Sequence, residues 1–564
     1  MSHKNEKNGS ILEKNSKNGD VVFDGQDEGH GPSRTTRGKS RFVVMCILLM
    51  ELCERMTFYS ISANLVLFCT SKLGFSDPDG ATIQYIFSGS CYLVPVIGGF
   101  IADSIAGKFN VIYGSGLIYV LGTFLLVASA VDYRSWLGLD ADGLAYNLSQ
   151  YARSGYFLTG LFLVALGTGG IKANVGPYGA EQAEGLGENA VQTFFNWFYF
   201  FINTGSFIAY SAVAYIQQNI SFAYGFLVPL ISMILAIIFL LIGRRLYKNT
   251  PIQGSLLSTA FKVIIEGCKR RDAEDTKSLL DRAKRSHGGS FADATVEGIK
   301  SLGGVIPVFL TIVMYWAIYS QMSSTFFLQS VRMDVRIGSL VTPAAALNLF
   351  NVVIILILIP FLDIIVYPCL ARVGRKPSLL QRIGFGMILA ALSVITAGIL
   401  EIYRKKDISE MGAIPQVLGD KTYNASSLSM FLQVPQFALI GASEVFTSIT
   451  GLEFAYSEAP SFLKGLIMGL FLVTSGIGSY VSVAIQKIVE AATVSHPWFP
   501  DEINTGNVEY FFFLLGGLMF VDFLIFLGIA KCYKYKNKTA KDTPETEAEM
   551  EAYDNRAFPD STDL

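Results

Sequence analysis

The sequence predicts an all-α membrane protein of twelve transmembrane helices in two six-helix halves. Three observations carry that expectation. Of 564 residues, 51% are apolar and only 16% charged, with a mean hydropathy of +0.43, where an ordinary soluble domain is about 25% charged. Apolar runs of about 20 residues, the length a helix needs to cross the hydrocarbon core, recur from Arg41 onward. A polar stretch of roughly 55 residues after the sixth run divides them six and six, an arrangement that suits two parallel halves around a midplane site.

Taken in order, residues 1–40 are rich in Lys, Asn, Gly, Ser and Asp and have no apolar core of a signal peptide, so they read as a disordered tail. The N-terminal half, 41–245, contains runs near 42–70, 83–103, 110–131, 155–175, 194–217 and 222–243. The linker, 246–301, mixes Phe261, Val263, Ile264 and Ile265 with many charges, which predicts amphipathic helices on the membrane surface and no second domain. The C-terminal half, 302–533, contains runs near 303–323, 343–366, 380–401, 430–455, 463–490 and 509–531. Residues 534–564 are charged and read as a second disordered tail.

Arg244, Arg245, Lys248 and the basic residues on to Lys300 mark the linker side as cytoplasmic, and an even span count puts both tails there. The sequons Asn147-Leu-Ser and Asn424-Ala-Ser then fall on the other face as glycosylation candidates. The balance of 44 Lys and Arg against 46 Asp and Glu leaves no basic excess for nucleic acid. Seven cysteines without CxxC spacing give neither a disulfide framework nor a zinc site. A nucleophile elbow, a P-loop and a metal-ligand cluster are missing, so no enzyme and no metal or organic cofactor is expected.

An ionisable group in hydrocarbon is expensive and functional by default. Glu51, Glu54 and Arg55 occupy positions i, i+3 and i+4 of the first run, one face of a helix. One guanidinium cannot neutralise two carboxylates, so a proton is the natural second counter-charge. The bland alternative is an internal salt bridge that locks the first helix to a neighbour. Lys172 follows Gly-Thr-Gly-Gly-Ile in the fourth run, where glycines let another helix approach, and its ammonium calls for Glu51, Glu54 or a substrate carboxylate. In the tenth run Glu444 and Glu453 are nine residues apart and face opposite ways; Glu444, the deeper, is the candidate for a substrate cation, and Glu453 reads equally as a structural ion pair. Asp522 in the twelfth run has no functional reading. All four histidines lie outside the runs, so proton coupling falls to carboxylates. Tyr59, Tyr92, Tyr199 and Trp316 are the aromatics nearest these charges.

These residues carry a specific resemblance. Glu-Leu-Cys-Glu-Arg-Met-Thr-Phe-Tyr (51–59) resembles the first-helix ExxER motif of the proton-dependent oligopeptide transporters, a branch of the major facilitator superfamily. Residues 98–109 resemble that superfamily's loop between helices two and three, 194–206 the FYxxINxGS signature, and 451–460 the tenth-helix signature. Within the family the chain is most similar to the animal peptide/histidine transporters, through 214–222 and 286–291.

The resemblance implies the major facilitator fold and symport of protons with di- or tripeptides or histidine toward the cytosol, with an endolysosomal membrane favoured over the plasma membrane. It implies that Glu51, Glu54 and Arg55 couple protons, that Lys172 receives the substrate carboxylate and Glu444 its amine, and that Tyr59, Tyr92, Asn174, Asn351 and Trp316 line the cavity. Four positions depart from plasma-membrane relatives: Ser62 stands for an Arg, Tyr85 for a His, Ser320 for an Asp and Phe471 for a Trp. Two other functions remain open here. One is transport of a different solute such as nitrate, as in related plant proteins; the other is a transporter-shaped scaffold for a cytoplasmic signalling partner.

Overall fold

The computed structural model describes residues 34–133, 148–184, 186, 189–249, 252, 254–270, 278–375, 377–460 and 463–533. The expected tails, apart from 34–40, lie outside these residues, as does Asn147. Six long helices precede the linker: α1 (Arg34–Ala63), α2 (Asp77–Ile101), α3 (Lys108–Ala130), α4 (Gln150–Ala183), α5 (Ala190–Ile208) and α6 (Phe222–Ile242). The linker contributes α7 (Leu256–Lys269). Then come α8 (Ile306–Tyr319), α9 (Asn348–Phe361), α10 (Leu379–Met411), α11 (Val434–Glu444), α12 (Lys464–Ala492) and α13 (Val508–Cys532). The chain is an integral, multi-pass membrane protein.

Among the described residues, ten helices are long and apolar enough to cross a membrane, where twelve spans are expected. The two that fall short are α1, which carries Glu51, Glu54 and Arg55, and α5, whose apolar run is diluted by Gln192, Asn196, Asn203 and Thr204. Both are nonetheless long helices packed among the others. α1 also begins at Arg34, inside the stretch read as tail, because a helix does not stop where the hydrocarbon does. The all-α expectation needs a correction. Two hairpins, β1 (Arg336–Ile337) with β2 (Leu340–Val341) and β3 (Ile414–Leu418) with β4 (Lys421–Ala425), sit at the end opposite the linker. Gly338 and Gly419, at φ 62° and 61°, make their tight turns.

Small residues set the helix packing. In lipid there is no hydrophobic drive between helices, so close backbone approach and dispersion contacts do the work. A methyl at Gly169 would collide with Val94 of α2, and one at Gly122 or Gly160 with the facing backbone across the α3–α4 contact. Gly205 does the same for α5 against α1. The two helix groups meet through α2 and α12, where Gly89 and Gly476 bring backbones together and Ser90 and Tyr480 share a 2.8 Å hydrogen bond. In α7, Ala260, Val263 and Gly267 are buried while Phe261, Ile264 and Ile265 are exposed.

The end away from the linker is closed. Arg332, 0% exposed, donates to Asp77 of α2 at 2.6 Å and to both Glu502 oxygens at 2.7 and 2.8 Å. Lys72 pairs with Asp420, Thr70 shares a 2.8 Å hydrogen bond with Tyr423, and Gln218 accepts from the Ala344 amide at 2.9 Å. Burial pushes the Glu502 carboxyl up, but the hydrogen bonds and charge of Arg332, with the Asn504 amide and the Lys421 charge, together outweigh it and hold Glu502 below its ordinary range. That contribution is complete at neutral pH and is lost as pH falls through the lowered value. Replacing Arg332 with Ala strands the buried Asp77 and should cost about 3–5 kcal/mol of this closure. The check is a lower melting temperature in detergent, and an unchanged one would count against the latch.

Candidate functional site

The α1 charges form one cluster. Glu51, Glu54 and Arg55 are 4%, 0% and 5% exposed. The Arg55 Nε lies 3.3 Å from Glu51 Oε1 and donates to Glu54 Oε2 at 2.5 Å. Glu51 Oε2 and Glu54 Oε1 are buried with no hydrogen-bond partner. The cluster thus has two acceptor atoms in hand and a single cation to serve two carboxylates, which is where a proton has a place to go.

Lys172 is half-buried on α4, and no carboxylate approaches within 4 Å of its ammonium among the described residues. It rests instead on the Tyr92 ring, 3.2 Å from the centroid. Phe58 lies between it and the α1 cluster, 5.9 Å from the Lys172 ammonium and 5.2 Å from the Arg55 guanidinium. An aromatic face compensates an ammonium only partly, so Lys172 retains charge to offer an anion.

The opposite wall comes from α8, α9 and α11. Glu444 accepts from the Asn351 amide at 3.3 Å, and the Tyr319 hydroxyl bears on the same carboxylate. Asn351 is buried, 3.4 Å from the Tyr319 oxygen, and fits because residue 441 is glycine; a methyl there would meet Asn351 Oδ1 at 2.6 Å. Trp316 packs against Tyr319 at 5.2 Å, with its buried Nε1 unpartnered. α11 passes into a single π turn, Val445–Ile449, directly after Glu444, a bulge of the kind frequent at functional sites. The neighbours of Glu444 are thus neutral amide and hydroxyl groups.

Tyr59 and Tyr92 stand between the walls: both lie within electrostatic reach of Glu444 and of the α1 cluster. Tyr59 also contacts Tyr210 at 5.6 Å between ring centroids. The structure therefore brings Glu51, Glu54, Arg55, Lys172, Tyr59, Tyr92, Asn351, Trp316 and Glu444 around one region. Asn174 is different. Its amide donates to Gly170 O at 2.8 Å and Gly98 O at 3.3 Å, so it fastens α4 to α2 and is spent on backbone. Asn424 is exposed on β4. Glu453 lies 3.8 Å from Arg382, the structural pair of its two readings, and Asp522 keeps one buried oxygen unpartnered.

Phe58, Tyr210 and Tyr319 escaped sequence reasoning. Tyr319 had a signal, three residues after Trp316 and so on the same helix face; Tyr210 had none. Three of the four positions singled out in the sequence as departures make neutral contacts. Ser62 accepts from Gln84 at 3.0 Å, Ser320 meets Ser482 at 2.8 Å, and Tyr85 donates to Gln321 at 2.7 Å across the two helix groups.

A family model described as POT family matches residues 109–505. The chain is 35% identical to Protein NRT1/ PTR FAMILY 8.1 of Arabidopsis thaliana, over 88% of this chain and 94% of that protein. It is 34% identical to Solute carrier family 15 member 3 of Rattus norvegicus, over 88% and 92%. Among solved structures, the POT family transporter PepTSo matches with a TM-score of 0.71 at 25% identity, over 87% of this chain and 98% of that one. An auto-inhibited POT family peptide transporter shares the fold, with a TM-score of 0.70 at 24% identity, over 88% and 98%.

Proposed function

Since the chain belongs to the POT family, a family of transporters and not of enzymes, we propose that it is a proton-driven symporter of di- and tripeptides or histidine, moving them toward the cytosol by alternating access. One observation carries this reading: among the described residues Lys172 has no carboxylate in ion-pair contact and Glu444 has no cation in ion-pair contact, and the two flank the same tyrosines. A peptide or free amino acid is a zwitterion and completes both. Its carboxylate meets Lys172, its amine meets Glu444, and the side chains fall among Tyr59, Tyr92, Asn351 and Trp316. Holding only the main-chain ends explains how one site takes many sequences.

The proton enters at Glu51 and Glu54. Protonation reduces the net charge beside Lys172 and readies it for a substrate carboxylate; closure of the cavity and rocking of the two halves then carries both cargoes across. In this reading the linker side is cytosolic, the chain spans twelve times, and the closed end with Arg332 is the lumenal one, so the structure faces the cytosol. The close similarity to peptide/histidine transporters favours an endolysosomal membrane, whose acidic lumen supplies the protons.

Nitrate, the reading raised by plant relatives, is disfavoured by Glu444, whose carboxylate would repel an anion. Competition decides the substrate class. Labelled histidine and a labelled dipeptide should displace one another from the purified protein, while a dipeptide with both N-acetyl and C-amide blocks should displace neither. Displacement by the doubly blocked peptide would refute recognition through the two termini.

A further inference from the structure

The linker helix α7 carries a face that the transport scheme leaves unused. On a helix, positions i, i+3, i+4 and i+7 share one side, and in α7 these are Phe261, Ile264, Ile265 and Cys268. The first three are 57%, 42% and 50% exposed, and Cys268 is exposed beside them. A different flank holds α7 in place: Ala260, Val263 and Gly267 are buried, and a methyl on Gly267 would stand 2.9 Å from the Leu279 carbonyl oxygen. The apolar strip is therefore not the side that packs on the linker's own turn, Leu279–Ala283. The charges of α7 are sorted as well. Its one acid, Glu266, accepts from the Ser290 amide at 2.9 Å and lies 3.9 Å from Arg270, so it is spent within the linker. Lys262 and Lys269, two turns apart and so on one side of the helix, are exposed at the edge of the strip. Among the described residues neither has a carboxylate in ion-pair contact.

The start of the linker is tied to the helix ends at the membrane border. α6 ends at Ile242. Gln182, at the end of α4, donates to the Lys248 carbonyl oxygen at 2.9 Å and accepts from its amide at 2.8 Å, and Tyr178 donates to Asn249 at 3.2 Å. The Gly254 amide donates at 3.1 Å to the carbonyl oxygen of Asp103, in the π turn that extends α2, and Gly254, at φ 86°, makes the bend into α7. We propose that α7 is a docking surface for an anionic lipid leaflet, with the strip entering the acyl boundary and Lys262 and Lys269 meeting the headgroups. An apolar strip edged by cations, its only acid already engaged, complements a surface that is apolar below and anionic above. The lysine stems lie along the strip and their ammonium groups rise to the headgroups. The proposal concerns the linker alone and stands whatever the cargo is.

The test puts a nitroxide on Cys268 of the full-length protein, with Cys369→Ser and Cys532→Ser removing the other exposed thiols; the remaining cysteines are buried. The purified protein is set in nanodiscs of POPC, or of POPC with POPS. The label is read by its collisions with oxygen, which concentrates in hydrocarbon, and with a water-soluble nickel chelate. With POPS the label should favour oxygen and be shielded from nickel, and in POPC alone it should be more open to nickel. A lysine near an anionic surface is worth about fivefold in partition, so Lys262→Gln with Lys269→Gln should shift the balance in POPS discs toward water by roughly twentyfold or more. Should the labelled chain fail to fold, amide hydrogen exchange of residues 256–269 in the unlabelled protein decides: slower exchange with POPS is expected, and equal exchange in the two discs overturns the proposal. A label open to nickel in both discs overturns it and gives the strip to a protein partner. A label shielded equally in both, or unmoved by the double variant, overturns recognition of the anionic headgroup.

Discussion

Lys172→Ala abolishes gradient-driven peptide uptake. Its ammonium is held by an aromatic ring and not by a carboxylate, so removing it strands no buried partner and the fold should survive. What is lost is the charge-assisted contact to the substrate carboxylate. Truncating one member of a buried charge pair costs about 2–5 kcal/mol, and each 1.4 kcal/mol is tenfold, so apparent affinity should fall by roughly thirtyfold or more. Scintillation proximity binding of a labelled dipeptide and uptake under an inward proton gradient read the two effects. Undiminished uptake would remove Lys172 from the site.

Glu444→Gln gives the second large effect and a different signature. Glutamine can keep hydrogen bonds to Asn351 and Tyr319, so the wall of α8, α9 and α11 should hold its shape. The lost interaction is that of the carboxylate with the substrate amine. A hydrogen bond to a charged group is worth about 1.5–3 kcal/mol, which raises KM for a dipeptide roughly ten- to a hundredfold. The pH midpoint should stay where it is, because the proton cluster lies on the other wall. A KM unchanged for the free-amine dipeptide, or one raised equally for its N-acetyl form, would take the amine away from Glu444.

Much of this was legible in the sequence for a physical reason: in a bilayer every charge has to justify itself. Glu51, Glu54, Arg55, Lys172 and Glu444 stood out against apolar runs, and helical spacing put the first three on one face. Span positions followed from apolar length, although two of the helices fall short by composition: α1 through its three site charges and α5 through Gln192, Asn196, Asn203 and Thr204. Composition does not register what a side chain turns toward. Asn174 had the right polarity and helix for a cavity residue, yet its amide fastens two backbones. The Arg332 latch was invisible because Asp77, Arg332 and Glu502 are at least 170 positions apart and sit at a helix start and in connections, where a charge costs nothing until folding buries it. The hairpins were missed since strands of two and five residues lie below what alternation reveals, although Gly338 and Gly419 marked their turns.

The central claim is that proton movement and zwitterion movement are one process. Its most direct test is uptake of labelled histidine and a labelled dipeptide into proteoliposomes holding the purified protein, with and without an inward proton gradient. The account predicts accumulation above equilibrium that collapses when a protonophore is added, with each substrate inhibiting the other. Folded protein that accumulates neither, or that accumulates them equally with the gradient abolished, would contradict it.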